Sequence, residues 1–253
     1  MGHYYSDEKN VQMLIYLMKS HGVKKVIVSP GATNITFVAS LQQDPYFELY
    51  SVADERSAAY MACGLAAESG EPVALSCTGA TASRNYIPGL TEAYYRKLPV
   101  LAITSTQHTG RIGQLCPQVI DRSVIQKDIA VMSVQIPMIH SSDDEWDCNV
   151  KLNTALLALK HRGGGPVHIN LSTEYTRQFD VKSLPEFRVI RRVQVDDHFP
   201  EIEAKRVGIF VGAHLAWSEE LTNAVDAFCE QYIFCSPCCL FLRDAETGRR
   251  QSS

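Results

Sequence analysis

The sequence predicts an α/β protein with a three-layer α/β/α architecture, in which helices cover both faces of a mostly parallel sheet, followed by the start of a second α/β domain. Two observations lead to this prediction. Apolar runs of strand length alternate with segments of helical periodicity from residue 7 to residue 171. The runs are also nearly continuous in Val, Ile, Leu and Ala, which is typical of parallel strands buried on both faces.

The first elements follow from periodicity and from turn residues. Residues 7–21 carry apolar side chains at helical spacing up to Gly22, which predicts a helix. Pro30 and Gly31 end the strand that comes next. The predicted elements, in order, are a helix over 7–21, a strand over 24–29, a helix over 34–42, a strand over 47–52 and a helix over 54–70.

The helix over 54–70 is built mostly from small residues. Asp54 is a good N-cap, so Glu55 falls in the first turn, where the positive end of the helix dipole favours a carboxylate. Gly70 ends the helix. Alanines on its inner positions, such as Ala58 and Ala62, leave little side-chain bulk. This composition predicts close packing against another backbone.

The same alternation continues after residue 70. The strand over 99–105 is the most apolar of those predicted and is expected to be central. Gly163, Gly164 and Gly165 could form a phosphate loop, but a strand follows them, so a plain connector is favoured. The predicted elements are a strand over 72–77, a helix over 83–96, a strand over 99–105, a helix or turn over 124–130, a strand over 131–136, a helix over 143–161 and a strand over 167–171.

Residues beyond 171 lose this regularity. We expect residues 1–175 to form the first domain, 176–205 a charged, proline-containing linker, and 206–253 the incomplete beginning of a second α/β domain. A strand over 206–212 and a helix over 218–232 are predicted there. About 20 residues remain after that helix, too few to complete a domain, so we expect the chain to be cut short.

Composition excludes several classes of function. Apolar residues make up 45% of the chain, charged residues 21%, and the net charge is −4, so nucleic acid and anionic membranes are not expected as partners. No apolar run approaches the length of a membrane span, and the beginning of the chain is polar, so we expect a cytoplasmic protein.

Eight cysteines are present, and four of them lie near the end of the chain. Cys235 and Cys238, with Cys239 beside them, have the spacing of half a zinc site. No second pair of ligands follows with suitable spacing, so we predict no metal site. The remaining cysteines are scattered, as buried free thiols are in a reducing compartment.

Polar and glycine residues follow several predicted strands, where ligands bind in open parallel sheets. They occur as ordered motifs. These are Ser29-Pro30-Gly31, Asp54-Glu55-Arg56 with Gly64, Thr78-Gly79 with Asn85, the run from Tyr94 to Thr104, and Gln118-Val119-Ile120-Asp121.

In this order and spacing, the motifs resemble the N-terminal, pyrimidine-binding domain of the thiamine-diphosphate enzymes. That group contains acetolactate synthase, pyruvate decarboxylase and the menaquinone-pathway carboligase. The resemblance covers about residues 7–175. It implies a reaction on a 2-oxo acid, either decarboxylation or carboligation, with thiamine diphosphate as cofactor.

The resemblance also implies roles for single residues. Glu55 would hydrogen-bond a ring nitrogen of the cofactor's aminopyrimidine and so activate the thiazolium carbon. The other cofactor-binding residues that it implies are Pro30, Gly31, Thr78, Gly79, Asn85 and Gln118. His108 and His140 match no position of the family, so solvated or hydrogen-bonded histidines are expected there.

The family places its cofactor between the pyrimidine domain of one subunit and the diphosphate domain of its partner. A dimer or higher oligomer is therefore implied. The Gly-Asp-Gly segment with which that second domain holds Mg²⁺ and diphosphate does not occur in these residues, so we expect the chain not to turn over alone.

The sequence also departs from the family's members. The menaquinone-pathway carboligase has Ser-Arg where Ala32 and Thr33 stand, which disfavours its substrate. Two alternatives remain open: one subunit of a split enzyme, or a non-catalytic module or fragment that keeps the fold for assembly. A Rossmann domain is a weaker alternative, because the first strand lacks the Gly-x-Gly-x-x-Gly turn.

Overall fold

A sheet of six parallel strands forms the centre of the first part of the chain. Its strands are β1 (Lys25–Val28), β2 (Glu48–Ser51), β3 (Val73–Thr78), β4 (Val100–Thr106), β5 (Met132–Ile136) and β6 (Val167–Ser172). Their order across the sheet is β2-β1-β3-β4-β6-β5, and every neighbouring pair is parallel. The predicted parallel sheet is thus confirmed, and β4, buried along its whole length, lies in its interior.

This computed structural model describes residues 4–175, 178–193, 197–198, 201 and 216–231. The chain divides into two units, Met1–Arg192 and Val193–Ser253. Of the second unit, one helix is described, Glu219–Gln231. It confirms the helix predicted over 218–232, whereas the strand predicted over 206–212 and the cysteine group at 235–239 lie outside the described residues.

Helices cover both faces of the sheet. They are α1 (Lys9–Ser20), α2 (Ile35–Gln42), α3 (Glu55–Ser69), α4 (Thr81–Asn85), α5 (Ile87–Tyr95) and α6 (Ser142–Ala158), and the helix of the second unit is α7. Helices α1, α2 and α6 share one apolar core with residues such as Val26, whereas α3 and α5 share the other with residues such as Ile27. Because consecutive strand residues point to opposite faces, this division confirms the three-layer α/β/α architecture.

The helix predicted over 83–96 is in fact two helices. Helix α4 ends at Asn85 and α5 begins at Ile87. Pro88 lies in the first turn of α5 and has no N–H to donate to a carbonyl one turn earlier. The hydrogen-bond ladder is therefore interrupted, and α5 starts anew with proline in a position that helices tolerate.

Residues 178–193, which we call the strap, lie on the first unit in an extended conformation. Val181 forms a bridge with Tyr5, and the ring of Phe187 packs edge-on against Tyr16 at a centroid distance of 5.7 Å. Two buried asparagines of α6, Asn149 and Asn153, bind the backbone of the strap. These residues fall in the predicted linker, and most of the strap packs as part of the first unit.

Candidate functional site

The site begins where the chain reverses its direction across the sheet. From β1 the chain moves outward to β2, and from β2 it returns past β1 to β3. Crossovers that leave in opposite directions open a crevice at the carboxyl ends of β1 and β3, which is where ligands bind in open α/β sheets. The predicted residues lie at these strand ends: Thr78 is the last residue of β3, Gly79 follows it, and Pro30 and Gly31 come one residue after the end of β1.

Two glycines let the backbone turns approach closely in this crevice. A Cβ atom at Gly31 would lie well under 3.0 Å from Cγ2 of Thr78, and one at Gly79 would lie within 3.0 Å of the Ser105 carbonyl oxygen. No real Cβ tolerates such contacts. Gly31 and Gly79 are therefore required by space, Gly31 because of the Thr78 side chain and Gly79 because of the Ser105 backbone.

Thr33 and Asn34 tie these turns together, a role that sequence reasoning missed. The Thr33 hydroxyl accepts a hydrogen bond from the Gly79 amide at 3.2 Å and donates to the Ser105 carbonyl at 2.9 Å. The Asn34 side chain accepts from the Gly31 amide at 2.9 Å. Both side chains are fully buried. Buried polar residues directly after a Pro-Gly turn were the signal that could have revealed them.

Glu55 lies at the beginning of α3, as predicted. Asp54 caps the helix by accepting a hydrogen bond from the Ser57 amide at 2.7 Å, so Glu55 occupies the first turn. The Glu55 side chain is half-buried, and the amide of Asn85 donates to its Oε2 at 3.2 Å. Within the part of the chain that the structure describes, Oε1 has no hydrogen-bond partner.

The side chains beneath Glu55 are neutral. Burial is the main cause that raises the pKa of the Cys77 thiol to about 12, and the charge of Glu55 adds to it. Burial likewise raises the pKa of the fully buried Tyr86 phenol well above its usual range. Neutral, buried Cys77 and Tyr86 therefore lie within electrostatic reach of the Glu55 carboxyl group.

Not every predicted residue joins this group. Gln118 is exposed in the segment between β4 and β5, adopts a positive φ of 61°, and makes no hydrogen bond within the described ranges. Pro30 is exposed at the rim of the crevice. His108 and His140 are both exposed, in keeping with the expectation of solvated side chains.

Arg122 and His168 were not predicted, yet both are buried beside the site. Arg122 packs against Gly79, and His168 lies between the hydroxyls of Thr104 and Ser133 at 2.8 Å from each. Burial, with smaller contributions from Arg122 and Arg84, lowers the pKa of His168 to about 3. Periodicity could not reveal Arg122, because it follows an irregular segment.

Among the described residues, no three His, Cys, Asp or Glu side chains are grouped so that they could hold a metal ion. Nor is any helix within the described ranges both long and apolar enough to span a membrane.

Comparison with known proteins identifies a family for the part of the chain that contains the candidate site. Residues 9–133 match the family model described as "Thiamine pyrophosphate enzyme, N-terminal TPP binding domain". This matched range includes β1 to β4 and every residue of the candidate site.

Similar proteins carry the name 2-succinyl-5-enolpyruvyl-6-hydroxy-3-cyclohexene-1-carboxylate synthase. The one from Bacteroides fragilis is 44% identical over 191 residues, which are 75% of this chain and 34% of the relative. The one from Porphyromonas gingivalis is 38% identical over 66% of this chain and 29% of the relative. The matched part thus spans about a third of the length of these curated relatives. The chain therefore belongs to the thiamine pyrophosphate enzymes, whose N-terminal TPP binding domain it carries.

Proposed function

We propose that this chain supplies the pyrimidine half of a thiamine diphosphate site in an enzyme that decarboxylates or ligates a 2-oxo acid. One observation carries the proposal. Glu55 presents a carboxylate at a helix N-terminus, Asn85 holds its Oε2 at 3.2 Å, and its Oε1 is left for a ligand. A single oriented carboxylate at the edge of a crevice is what proton exchange with a ring nitrogen requires.

The backbone turns at the edge of the crevice lie close together. A side chain at Gly31 would collide with Cγ2 of Thr78, and one at Gly79 would collide with the Ser105 carbonyl oxygen, so both turns depend on glycine. Pro30, next to Gly31, is exposed. These residues, with Glu55 and Asn85, would hold the aminopyrimidine, and Gln118 could approach only through a rearrangement of its exposed segment.

When bound, thiamine diphosphate supplies a carbon nucleophile and an electron sink for the 2-oxo acid. The chain's own residues prepare that chemistry. Glu55 holds or releases a proton at Oε1, where the ring nitrogen would lie. Asn85 fixes the orientation of the carboxylate, and the neutral, buried Cys77 and Tyr86 add no charge nearby.

The diphosphate half of the site requires further protein. We propose that a diphosphate-binding domain with Mg²⁺ comes from a second subunit, either another copy of a longer chain in a dimer or higher oligomer, or a separate polypeptide of a split enzyme. In calorimetry with Mg²⁺, the 253 residues alone should show no measurable binding of thiamine diphosphate. Tight stoichiometric binding would contradict this part of the proposal. We also expect the assembly to be cytoplasmic.

The substrate is the least constrained part of the proposal. The relatives' name points to a cyclohexene carboxylate synthase of the menaquinone pathway. In this chain, however, Ala32 is small and the hydroxyl of the buried Thr33 is occupied by backbone hydrogen bonds. We therefore propose the reaction class, a thiamine-dependent conversion of a 2-oxo acid, rather than that particular substrate.

Replacement of Glu55 tests the proposal. Release of CO₂ from a panel of 2-oxo acids should be measured with thiamine diphosphate, Mg²⁺ and the protein in its full assembly. Because Glu55→Gln cannot exchange a proton, it should lower the rate by roughly 10² to 10⁴-fold. Glu68→Gln is a matched control, since Glu68 lies exposed on the same helix, and it should leave the rate unchanged.

The outcomes separate the alternatives. Equal activity of Glu55→Gln and the parent protein would refute the role of Glu55. An assembly without any thiamine-dependent activity on 2-oxo acids would instead favour the non-catalytic module, which keeps the fold only for binding or assembly.

A further inference from the structure

Arg122 is a buried charge whose partners are all neutral. Its side chain is only 2% exposed. The guanidinium donates to the Asn170 Oδ1 atom from Nε at 3.0 Å and from Nη2, and to the Ser83 hydroxyl from Nη1 at 3.3 Å. These bonds use three of its five N–H groups. No described carboxylate forms an ion pair with it.

The groups around Arg122 do not neutralise its charge. Burial, with a contribution from the neighbouring Arg84 and opposed in part by Cys77, lowers the pKa of Arg122 to about 10. At neutral pH the guanidinium is therefore still charged. His168 and Cys77 are neutral there, because burial shifts both of their pKa values away from neutrality. The Arg122 cluster, which consists of Arg122, His168 and Cys77, thus carries an unbalanced positive charge away from water. Such a charge is unfavourable without a counter-charge.

A small cavity lies against this cluster. Its wall combines isoleucines and Leu90 with polar residues, which are Ser83, Arg84, Tyr86, Thr104, Arg122 and His168. The volume is about 20 Å³, which is enough for one particle about the size of a water molecule. A metabolite carboxylate or a phosphate is too large for this space.

We propose that this cavity is a binding site for one small monovalent anion of the size of chloride. The anion would accept hydrogen bonds from the N–H groups of Arg122 that Asn170 and Ser83 leave unused. It would also supply the counter-charge that the described protein groups do not. The site lies beside the crevice of Glu55, because Arg122 also packs against Gly79, and it does not depend on the proposed function.

Occupancy of the cavity should affect the neighbouring segments. Arg122 joins the segment between β4 and β5 to Ser83 of α4, and α4 ends at Asn85, which orients Glu55. An anion that neutralises Arg122 would therefore stabilise the folded state of this whole edge of the sheet. Saturable stabilisation by chloride is the expected signature.

Thermal unfolding at constant ionic strength tests the proposal. Sodium chloride is exchanged stepwise for sodium gluconate, whose anion is too large for the cavity. Chloride at ten times its Kd should favour the folded state about elevenfold, and the midpoint temperature should rise and then level off. Arg122→Gln should abolish this dependence. Arg96→Gln is the control, because Arg96 lies exposed at the end of α5 and pairs only with Glu92 there.

Two results would overturn the proposal. One is a midpoint temperature that does not change with chloride, and the other is an Arg122→Gln variant that responds like the parent protein. If that variant does not fold, crystals of the unchanged protein grown in sodium bromide provide the test. An anomalous peak against the Arg122 guanidinium supports the site, whereas a water molecule or no peak in the cavity refutes it.

Discussion

Substitution of Gly89 tests the close packing of α3 on α5. The sequence predicted that the small residues of α3 pack against another backbone, and the structure identifies that backbone as α5. A Cβ atom at Gly89 would lie 2.9 Å from the carbonyl carbon of Ala59 and 3.2 Å from its Cα. Ordinary contacts of a Cβ atom begin at 3.4 Å. Because these are backbone atoms of α3, Gly89→Ala can be accommodated only if the two helices move apart.

Two effects of opposite sign determine how much Gly89→Ala changes the free energy of unfolding. Overpacking of a tight core costs about 1–3 kcal/mol, and a contact with backbone belongs near the upper end of that range. The higher helix propensity of alanine stabilises the folded state by about 1 kcal/mol. Gly89→Ala should therefore lower the free energy of unfolding by about 2 kcal/mol, which corresponds to a decrease of about 4–8 °C in Tm for a unit of this size.

Gly64 provides the matched control, because it also lies inside a helix, α3, but a Cβ atom there would meet no atom within 4 Å beyond its chain neighbours and the backbone of its own helix. Gly64→Ala should gain about 1 kcal/mol from helix propensity and raise Tm by about 2–4 °C. Thermal unfolding followed by circular dichroism measures both variants. If Gly89→Ala were as stable as the parent protein, the assignment of close backbone contact between α3 and α5 would be refuted.

Two further predictions concern buried titratable groups. Burial lowers the pKa of His168 to about 3. As the pH falls below about 6.5, the His168 imidazole therefore gains a proton only in the unfolded chain. The free energy of unfolding should then decrease by up to about 1.4 kcal/mol per pH unit. Urea unfolding at several pH values should show a weaker acid dependence for His168→Gln, and equal slopes would contradict the reasoning. Burial raises the pKa values of Cys63, Cys77 and Cys148 to between about 11 and 12, so these thiols should react with a disulfide reagent at pH 8 only after unfolding. Rapid labelling of Cys77 in the native protein, located by mass spectrometry, would count against its burial.

The strands of the sheet were predictable from the sequence. Each of the six begins and ends within one residue of its predicted bounds. The reason is that a parallel strand buried on both faces requires a continuous apolar run, which polar loops then delimit. The order of the strands could not be read in the same way, since periodicity does not indicate which neighbour a strand pairs with. The position of β5 at the edge, outside β6, is an example.

The candidate site was predictable only in part. Glu55, Gly31 and Gly79 could be identified because a helix cap and tight turns have local sequence signals. The partners of these residues come from distant parts of the chain. Arg122 reaches Asn170 across 48 positions, and Thr173 binds the Thr33 carbonyl across 140. Such contacts depend on the order of strands, so they become visible only in the folded structure.

The strap also has a consequence for the order of events during protein synthesis. All six strands have been made once Ser172 has left the ribosome. At that moment Asn153 of α6 still lacks two of its partners, because it donates to the carbonyl of Arg188 and accepts from the amide of Ile190 at 2.8 Å. A nascent chain folds from its N-terminus as it emerges. The first unit therefore reaches its final packing only after residue 190 has emerged, and a nascent chain halted between the last strand and the strap would hold a complete sheet with an incomplete surface.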